Sequence, residues 1–277
     1  MKSTAVQKYD FIALKEKAKQ IRRHILEMTY AASSGHPGGS MSIADIVTVL
    51  YFAVMRYDPQ NPAWEERDRF VLSKGHGAPA LYSALAEAGF FPTKELKTLR
   101  KCGTRLEGHP SHQKVPGVEA STGSLGQGFS MSVGMALAAK IDKKENRVYA
   151  LLGDGECNEG IVWEAAMAAN HYKLDNLTAI VDRNHYQIDG VTEDVMSLEP
   201  FADKWRGFGW NTVVIDGHNL HEIFDALERA ESTKGKPTVI IANTLKGKGV
   251  SFMEGKNDYH GKPLPKELLD KALEELA

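Results

Sequence analysis

The feature that most constrains the fold of this chain is an alternation of short apolar strands with longer helices. It begins near residue 123 and continues almost to the C-terminus. Continuous runs of apolar and β-branched residues predict strands over 147–152, 177–181, 212–215 and 237–242. Such alternation indicates βαβ units, in which helices cover both faces of a parallel sheet. The sequence therefore predicts an α/β fold with a mainly parallel sheet.

Helices are predicted between these strands and also ahead of them. The later helices are expected over 127–140, 158–172, 220–230 and 264–277. Ahead of the sheet, apolar residues from Leu14 to Met28 recur at spacings of four and three, the period of a helix with one buried face. Further helices are expected over 42–56 and 79–89. Because no low-complexity linker or internal repeat divides the sequence, we expect a single domain over 1–277 with a helical N-terminal region.

Composition and charge exclude several classes of function. Charged residues make up 25% of the chain and hydrophobic residues 42%, which is typical of a globular protein. The net charge of −2 provides no overall basic field for nucleic acid. The longest strongly apolar stretch, residues 43–55, contains Asp45 and is too short to span a bilayer, so no membrane partner is expected.

The cysteines and the first residues bear on the location of the protein. Cys102 and Cys157 have no second cysteine near them, which excludes a disulfide framework and a cysteine-rich zinc site and suits a reducing compartment. Residues 1–10 contain no apolar core, so no signal peptide is predicted. We therefore expect a cytoplasmic protein.

Two predicted loops place polar residues where a parallel sheet binds its ligands. Asp154 lies in a Gly-Asp-Gly segment after one predicted strand, and Asn184 follows the next strand 30 residues later. Since this is about the length of one βαβ unit, both side chains are expected in the crevice beyond the carboxyl ends of the strands. Carboxylate and amide oxygens suit Mg²⁺ or Ca²⁺, and the glycines allow the backbone to approach a phosphate. Taken alone, the segment could equally be a turn in which Asp154 caps the next helix.

Together, the Gly-Asp-Gly segment and Asn184 resemble the diphosphate-binding motif of thiamine-diphosphate enzymes. Many members of that group carry an asparagine directly before the ligand asparagine, whereas this chain has Arg183 there. The departure leaves the ligand residue itself in place. The resemblance implies the thiamine-diphosphate-binding fold, with thiamine diphosphate and Mg²⁺, Ca²⁺ or Mn²⁺ as cofactors.

Four segments rich in histidine or glycine narrow the resemblance to one family. They are Ser-Gly-His-Pro-Gly at 34–38, Ser-Lys-Gly-His-Gly at 73–77, Gly-His-Pro at 108–110 and Thr-Gly-Ser-Leu-Gly-Gln-Gly at 122–128. Their order is the one found in transketolases, and the set is far more specific than any single segment. The similarity extends from about residue 10 to residue 260. The chain resembles the transketolase domain that binds diphosphate and metal.

The resemblance implies a role for each matching residue. The residues that would serve catalysis are His36, His109 and His260. The residues that would contact the cofactor are His76, Gly123, Ser124, Leu125, Asp154, Gly155, Asn184, Ile188 and His260. The metal would be held by Asp154, Asn184 and the carbonyl group of Tyr186. General acid–base catalysis would fall to His109 and His260, while His36 would bind substrate oxygens.

Other residues of the same chemical types are interpreted differently. The histidines without glycine-rich surroundings are expected to be structural or surface residues, and they are His24, His112, His171, His185, His218 and His221. Glu159 and Glu164 resemble family acids at the contact between subunits, although a solvated helix face is equally expected. Cys157 is expected to fill space. The Lys-Gly-Lys-Gly segment at 246–249 lacks the residues and spacing of a P-loop.

The resemblance implies the transfer of a two-carbon ketol unit from a ketose phosphate to an aldose phosphate, as in the pentose phosphate pathway. Transketolases are longer than this chain, and only 17 residues follow His260. We therefore expect the aminopyrimidine-binding and C-terminal domains on a separate subunit, in an α2β2 heterotetramer. The alternatives are a related thiamine-diphosphate enzyme with a specialised sugar such as a sulfo-sugar, a deoxyxylulose phosphate synthase, and a non-catalytic protein that binds thiamine diphosphate.

Overall fold

The structure is a computed structural model that describes residues 10–277. The prediction that residues 1–10 form no signal peptide therefore concerns a segment that lies almost entirely outside the described residues. The strands are Arg69–Leu72 (β1), Val148–Gly153 (β2), Leu177–Arg183 (β3), Tyr186–Gln187 (β4), Gly190–Val191 (β5), Asn211–Asp216 (β6) and Thr238–Asn243 (β7). Five of them form a parallel sheet in the order β1-β2-β3-β7-β6, while β4 and β5 pair as a small antiparallel hairpin. The predicted fold class is confirmed.

Ten α-helices surround these strands in the described part of the chain. They are Phe11–Ala32 (α1), Pro37–Met41 (α2), Ala44–Val49 (α3), Ala78–Glu87 (α4), Gln127–Ile141 (α5), Gly160–His171 (α6), Thr192–Val195 (α7), Phe201–Gly207 (α8), Leu220–Ser232 (α9) and Lys266–Glu275 (α10). A π-helical turn, Leu50–Val54, continues α3. Over residues 10–277, no helix combines the length and the apolar character needed to cross a membrane.

Helices cover both faces of the sheet because successive side chains of a strand point to opposite sides. In β2, Tyr149 and Leu151 belong to one apolar core, and Ala150 and Leu152 belong to the other. Helices α1, α3, α4 and α9 contribute to the first core, and α5, α6 and α8 contribute to the second. The cover on both faces, which the alternation of elements predicts, is confirmed.

Short elements are the ones that the sequence pattern misses. Strand β1 has four residues and directly follows the charged segment 65–68, and each strand of the β4–β5 hairpin has two residues. Helices α7 and α8 have four and seven residues, too few to show a helical period. The segment around Pro37, read as part of a glycine-rich loop, contains α2, since proline is favoured at the first position of a helix.

The strand order determines where a ligand can bind. Strands β2 and β3 are neighbours, with Gly153 opposite Asp182, so the loops that follow them emerge side by side. Strand β7 lies next to β3 and places Asn243 opposite Arg183 at the same edge. The carboxyl edge of the sheet therefore brings together the loops that carry Asp154, Asn184 and the residues after β7.

Candidate cofactor site

A cavity of about 470 Å³ opens at the carboxyl edge of the sheet. Most residues predicted for the site line it, namely His36, His76, Gly123, Leu125, Asp154, Gly155, Asn184, Tyr186, Ile188 and His260. Two predicted residues lie outside the lining. Ser124 sits between two lining residues, and the ring of His109 lies behind Gly123, where an added Cβ atom would come within 3.2 Å of it. The roles assigned to these residues stay predictions, but the structure brings nearly all of them together.

Asp154 begins the turn after β2 and directs its carboxylate at the loop after β3. Its Oδ1 accepts a hydrogen bond from the Gly155 amide at 2.8 Å, which is the capping role expected of a simple turn. Its Oδ2 accepts from the His185 amide at 2.7 Å and from Arg183 Nη1 at 3.2 Å. Burial and the nearby Asp182 raise the pKa of Asp154, against the effect of Arg183. A cation bound beside this carboxylate would offset that repulsion.

The side chain of Asn184 is oriented by Asp182. Asn184 Nδ2 donates to Asp182 Oδ2 at 2.6 Å. Because an ionised carboxylate can only accept, the nitrogen of the Asn184 amide, and not its oxygen, must face Asp182. The amide oxygen accepts from the Tyr186 amide at 3.1 Å, beside the cavity. Asp154 and Asn184 therefore present a carboxylate and an amide oxygen at the cavity, the hard ligands that suit Mg²⁺.

Asp182 joins several segments around the cavity. The residue is fully buried, and its Oδ2 also accepts from Lys74 Nζ at 2.6 Å and Ser42 Oγ at 2.7 Å, while Oδ1 accepts from Thr244 Oγ1. Burial opposes ionisation, but Lys74 and the hydroxyl donors together hold the pKa of Asp182 below its ordinary value. Lys74 Nζ donates in addition to the Gly39 carbonyl at 2.7 Å. The sequence analysis assigns no role to Asp182 or Lys74, although Lys74 lies within the segment 73–77 and Asp182 lies two residues before Asn184.

Three histidines from distant segments form a cluster at the cavity. The ring centroids of His36 and His76 are 5.3 Å apart, and each lies 5.5 Å from that of His260. Burial, together with nearby cations, lowers the pKa of His36 to about 4 and that of His260 to about 3. The same causes lower the pKa of His76 well below its ordinary value. The rings are therefore neutral near pH 7, so each offers one hydrogen-bond donor and one acceptor.

Lys246 is a cavity residue to which the sequence analysis assigns no role, because a lysine in a glycine-rich loop has no distinguishing spacing. It lines the cavity, and its Nζ donates to His260 Nδ1 at 2.7 Å and to Asn257 Oδ1 at 2.8 Å. Burial and repulsion by Lys74 lower the pKa of Lys246 to about 8. Both lysines are buried at the cavity. The charge of Lys74 is balanced by Asp182, whereas Lys246 has no carboxylate partner among the described residues and suits an anionic ligand.

Glu156 is a further residue that sequence reasoning missed, and it holds three loops of the cavity in place. Its Oε1 accepts from Ser73 Oγ at 2.5 Å and from the Gly126 amide at 2.8 Å, and its Oε2 accepts from the Gly153 amide at 2.9 Å. Gly126 has a φ of +80°, and a Cβ there would come within 2.3 Å of Ile161. Only glycine therefore fits this turn without strain.

The other six histidines lie outside the cavity lining. Three have polar partners elsewhere, which are Glu87 for His24, the Val118 carbonyl for His112 and Asp45 for His218. The side chains of His171, His185 and His221 are exposed. The structure therefore places all six where structural or surface residues are expected.

The remaining candidates divide between the cavity and its surroundings. Glu159 lines the cavity, whereas Glu164 is exposed on α6. Cys157 is fully buried, and burial raises the pKa of its thiol well above the ordinary value, as suits a space-filling residue. Within residues 10–277, no group of three or more His, Cys, Asp or Glu side chains could hold a metal ion. A metal at Asp154 would therefore depend on amide and carbonyl oxygens for its other protein ligands.

The sequence matches one protein family over nearly its whole length. Residues 14–276 match the family described as transketolase, thiamine diphosphate binding domain. The match covers nearly the whole chain and includes every segment that lines the cavity. The chain belongs to the transketolase family, and the family predicted from the motifs is confirmed.

Relatives of two lengths match this chain. It is 51% identical to a 6-deoxy-6-sulfo-D-fructose transketolase subunit from Clostridium sp., over 96% of each chain. It is 45% identical to an apulose-4-phosphate transketolase subunit from Phocaeicola vulgatus, over 95% of this chain and 94% of the relative. Human transketolase is also 45% identical, but only 42% of it is covered. A crystal structure of transketolase from Campylobacter jejuni superposes with a TM-score of 0.92 at 36% identity, over 97% of this chain and 43% of that one.

Replacement of Asp182 by asparagine tests its role as the organising carboxylate. D182N leaves the buried Lys74 ammonium without a counter-charge, so the free energy of unfolding should fall by about 3–5 kcal/mol in denaturant titrations. Asp270 provides the matched control, because its pair with Lys266 is exposed on α10. D270N should lose no more than about 0.5 kcal/mol. Similar losses in the two variants would contradict the role assigned to Asp182.

The lowered pKa of His36 predicts a loss of stability in acid. The unfolded chain takes up a proton at His36 near its ordinary pKa of 6.5, whereas the folded chain does so only near 4. Between these values the unfolded state binds more protons, so stability falls as the pH falls. The variant H36Q cannot take up this proton, and its melting temperature should fall less than that of the native chain between pH 6.5 and pH 4. The exposed H171Q should follow the native curve; an H36Q curve parallel to the native one would show that His36 is not held neutral.

Proposed function

We propose that this chain is the diphosphate- and metal-binding subunit of a two-chain transketolase. The assembled enzyme would transfer a two-carbon ketol unit from a ketose phosphate to an aldose phosphate. The observation that carries the proposal is the convergence of Asp154, Asn184 and two buried lysines on one cavity, in a chain that belongs to the transketolase family. A cytoplasmic location and a place in the pentose phosphate pathway stay predictions.

The residues present fit thiamine diphosphate held through a divalent cation. Burial and the charge of Asp182 raise the pKa of Asp154 although Arg183 compensates its charge in part, as expected of a carboxylate that faces a metal ion. Asn184 and the Tyr186 carbonyl would add oxygen ligands, and Mg²⁺, Ca²⁺ or Mn²⁺ would fit such a set. Lys74 and Lys246 would face the diphosphate oxygens.

The histidines at the cavity would bind the donor sugar in their neutral forms. Thiamine diphosphate, when bound, supplies the electron sink for breaking the bond between carbons 2 and 3 of the donor. The ammonium group of Lys246 can only donate, so His260 Nδ1 accepts and His260 Nε2 carries the proton. His36 Nδ1 is buried and has no hydrogen-bond partner among the described residues. We assign to His36 and His260 the binding of donor oxygens, and to His260 Nε2 the movement of a proton.

His109 would act from a different position. Its ring lies behind Gly123, and burial together with Arg100 lowers its pKa. The lowered pKa favours the neutral form of the His109 ring, which can accept a proton from a substrate hydroxyl group.

A partner chain would complete the site. The Clostridium and Phocaeicola relatives, each matched over nearly its whole length, are both described as subunits. Two large apolar side chains at the cavity remain open to solvent, Ile188 at 69% exposure and Met196 at 62%. Apolar groups exposed at a cavity are typical of a surface that another molecule covers. We propose that the chain supplying the aminopyrimidine-binding domain packs here, in an α2β2 heterotetramer.

A specialised donor sugar is the second candidate function. It is favoured by the 51% identity to the 6-deoxy-6-sulfo-D-fructose transketolase subunit, compared with 45% for human transketolase. Side chains that recognise the far end of the donor would come largely from the partner. Rates measured with phosphorylated and sulfonated ketoses as donors would distinguish the two candidates.

The cofactor assignment predicts that binding depends on a divalent ion and on Asp154. Calorimetry of the chain with its co-purified partner should show thiamine diphosphate binding with Mg²⁺ and none after chelation with EDTA. D154A should weaken binding by more than about a hundredfold, because it removes a ligand of the ion. D203A, which removes an exposed carboxylate on α8, should bind as the native complex does. Unchanged binding in D154A, or ketol transfer by this chain without a partner, would contradict the proposal.

A further inference from the structure

We propose that His218, a histidine outside the cavity, positions Lys246 and thereby fixes which nitrogen of His260 carries a proton. His218 touches neither the cavity nor its predicted ligands. It acts through a chain of hydrogen bonds that begins at Asp45, on helix α3, and ends at the cavity. The link from His218 to His260 stands on the geometry alone, whereas its effect on cofactor affinity rests on the proposed function.

His218 contacts the loop that follows β7 and carries Lys246, called here the Lys246 loop. This contact follows from the register of two parallel strands. Strands β6 and β7 are neighbours, with Asp216 opposite Asn243. His218 and Leu245 each lie two residues beyond these positions, so they emerge together at the carboxyl edge of the sheet. The Leu245 amide donates to His218 Nε2 at 2.8 Å. The residue after Leu245 is Lys246.

Two partners of fixed character determine the protonation of His218. The buried carboxylate of Asp45 accepts hydrogen bonds from Arg22 Nη1 at 3.0 Å and Arg22 Nη2 at 2.5 Å. Its Oδ2 is also hydrogen-bonded to His218 Nδ1 at 2.8 Å. Since an ionised carboxylate can only accept, His218 Nδ1 must carry a proton. A backbone amide can only donate, so His218 Nε2 must carry none. The ring is therefore held as the neutral Nδ1–H tautomer.

The Lys246 loop is held from its other side as well. The Gly247 amide donates to the Gly38 carbonyl at 3.0 Å. A Cβ at Gly38 would come within 3.2 Å of the Lys246 side chain, so the loop lies close against helix α2, which follows His36. His218 on one side and Gly38 on the other leave the side chain of Lys246 directed at the cavity, where it is 1% exposed.

The last step of the chain is the donation from Lys246 Nζ to His260 Nδ1 at 2.7 Å. This bond excludes a proton from Nδ1 and leaves it on Nε2, as a donor for a substrate oxygen. Loss of the His218 contact would free the backbone at Leu245 and allow Lys246 to move. His260 would then be free to adopt either tautomer. His218 is accordingly a positioning residue and not a catalytic one.

Two substitutions separate the bonds that His218 makes. Asparagine places its amide nitrogen near the position of Nδ1, so H218N keeps a donor to Asp45 and loses the acceptor for Leu245. Glutamine places its amide oxygen near the position of Nε2, so H218Q keeps that acceptor. H24N is the matched control, because His24 also pairs with a carboxylate at 2.8 Å and its side chain is 14% exposed, compared with 12% for His218.

The first measurement is the tautomer of His260 from imidazole ¹⁵N resonances, assigned with H260Q, in the chain without cofactor. Native chain, H218Q and H24N should show His260 protonated at Nε2, whereas H218N should show a mixture of tautomers. A native-like His260 spectrum in a folded H218N would overturn the proposal. A merely structural role of His218 would lower the melting temperature and leave this spectrum unchanged.

If H218N fails to fold, the native chain decides the question. The Leu245 amide should then exchange slowly with solvent, and His218 should be protonated at Nδ1. Fast exchange at Leu245, or a proton on His218 Nε2, would overturn the proposal.

The second measurement is the affinity of the complex for thiamine diphosphate with Mg²⁺. H218N should bind about tenfold more weakly, because one hydrogen-bonding cation is displaced, while H218Q and H24N should bind as the native complex does. Native affinity in a folded H218N would overturn the link between His218 and the cofactor. If no complex binds thiamine diphosphate but the tautomers behave as expected, the proposed function fails and the positioning role of His218 stands.

Discussion

The buried carboxylate of Asp182 is the constraint on which the rest of the site depends. A charge in the interior must be matched by donors, and those that match this one come from four parts of the chain. Ser42 follows α2, Lys74 follows β1, Asn184 follows β3 and Thr244 follows β7. Satisfying one carboxylate therefore draws the loops at the carboxyl edge of the sheet to a single place. The bond from Asn184 Nδ2 also leaves the amide oxygen of Asn184 beside the cavity.

The electrostatics of the cavity follow from this arrangement. Lys74 and Lys246 supply positive charge, while the histidine cluster stays neutral because burial and those same lysines oppose its protonation. Asp154 faces the cavity with a charge that Arg183 compensates only in part. Such a site suits an anion, and we propose that a divalent cation lies between that anion and Asp154. Neutral imidazoles then remain available to bind the hydroxyl and carbonyl oxygens of a sugar.

Sequence patterns predicted the elements with strong periods and the residues in dense motifs. The sheet class follows from buried strands such as β2 and β3, whose continuous apolar runs leave little choice of structure. Asp154 and Asn184 were predictable because parallel neighbours bring their trailing loops together. Lys246 and His218 were not, because their importance depends on which strands are neighbours in space. The order β3-β7-β6 places His218 after β6 beside the loop after β7 that carries Lys246, and no local pattern around either residue encodes that order.

The most direct test of this account is a crystal structure of the chain with thiamine diphosphate and Mn²⁺, whose anomalous scattering locates the ion. The account predicts a single strong peak about 2.0–2.3 Å from oxygens of both Asp154 and Asn184, with the diphosphate on its far side and within reach of the Lys246 ammonium. A peak away from these two side chains, or a diphosphate bound elsewhere on the chain, would contradict it.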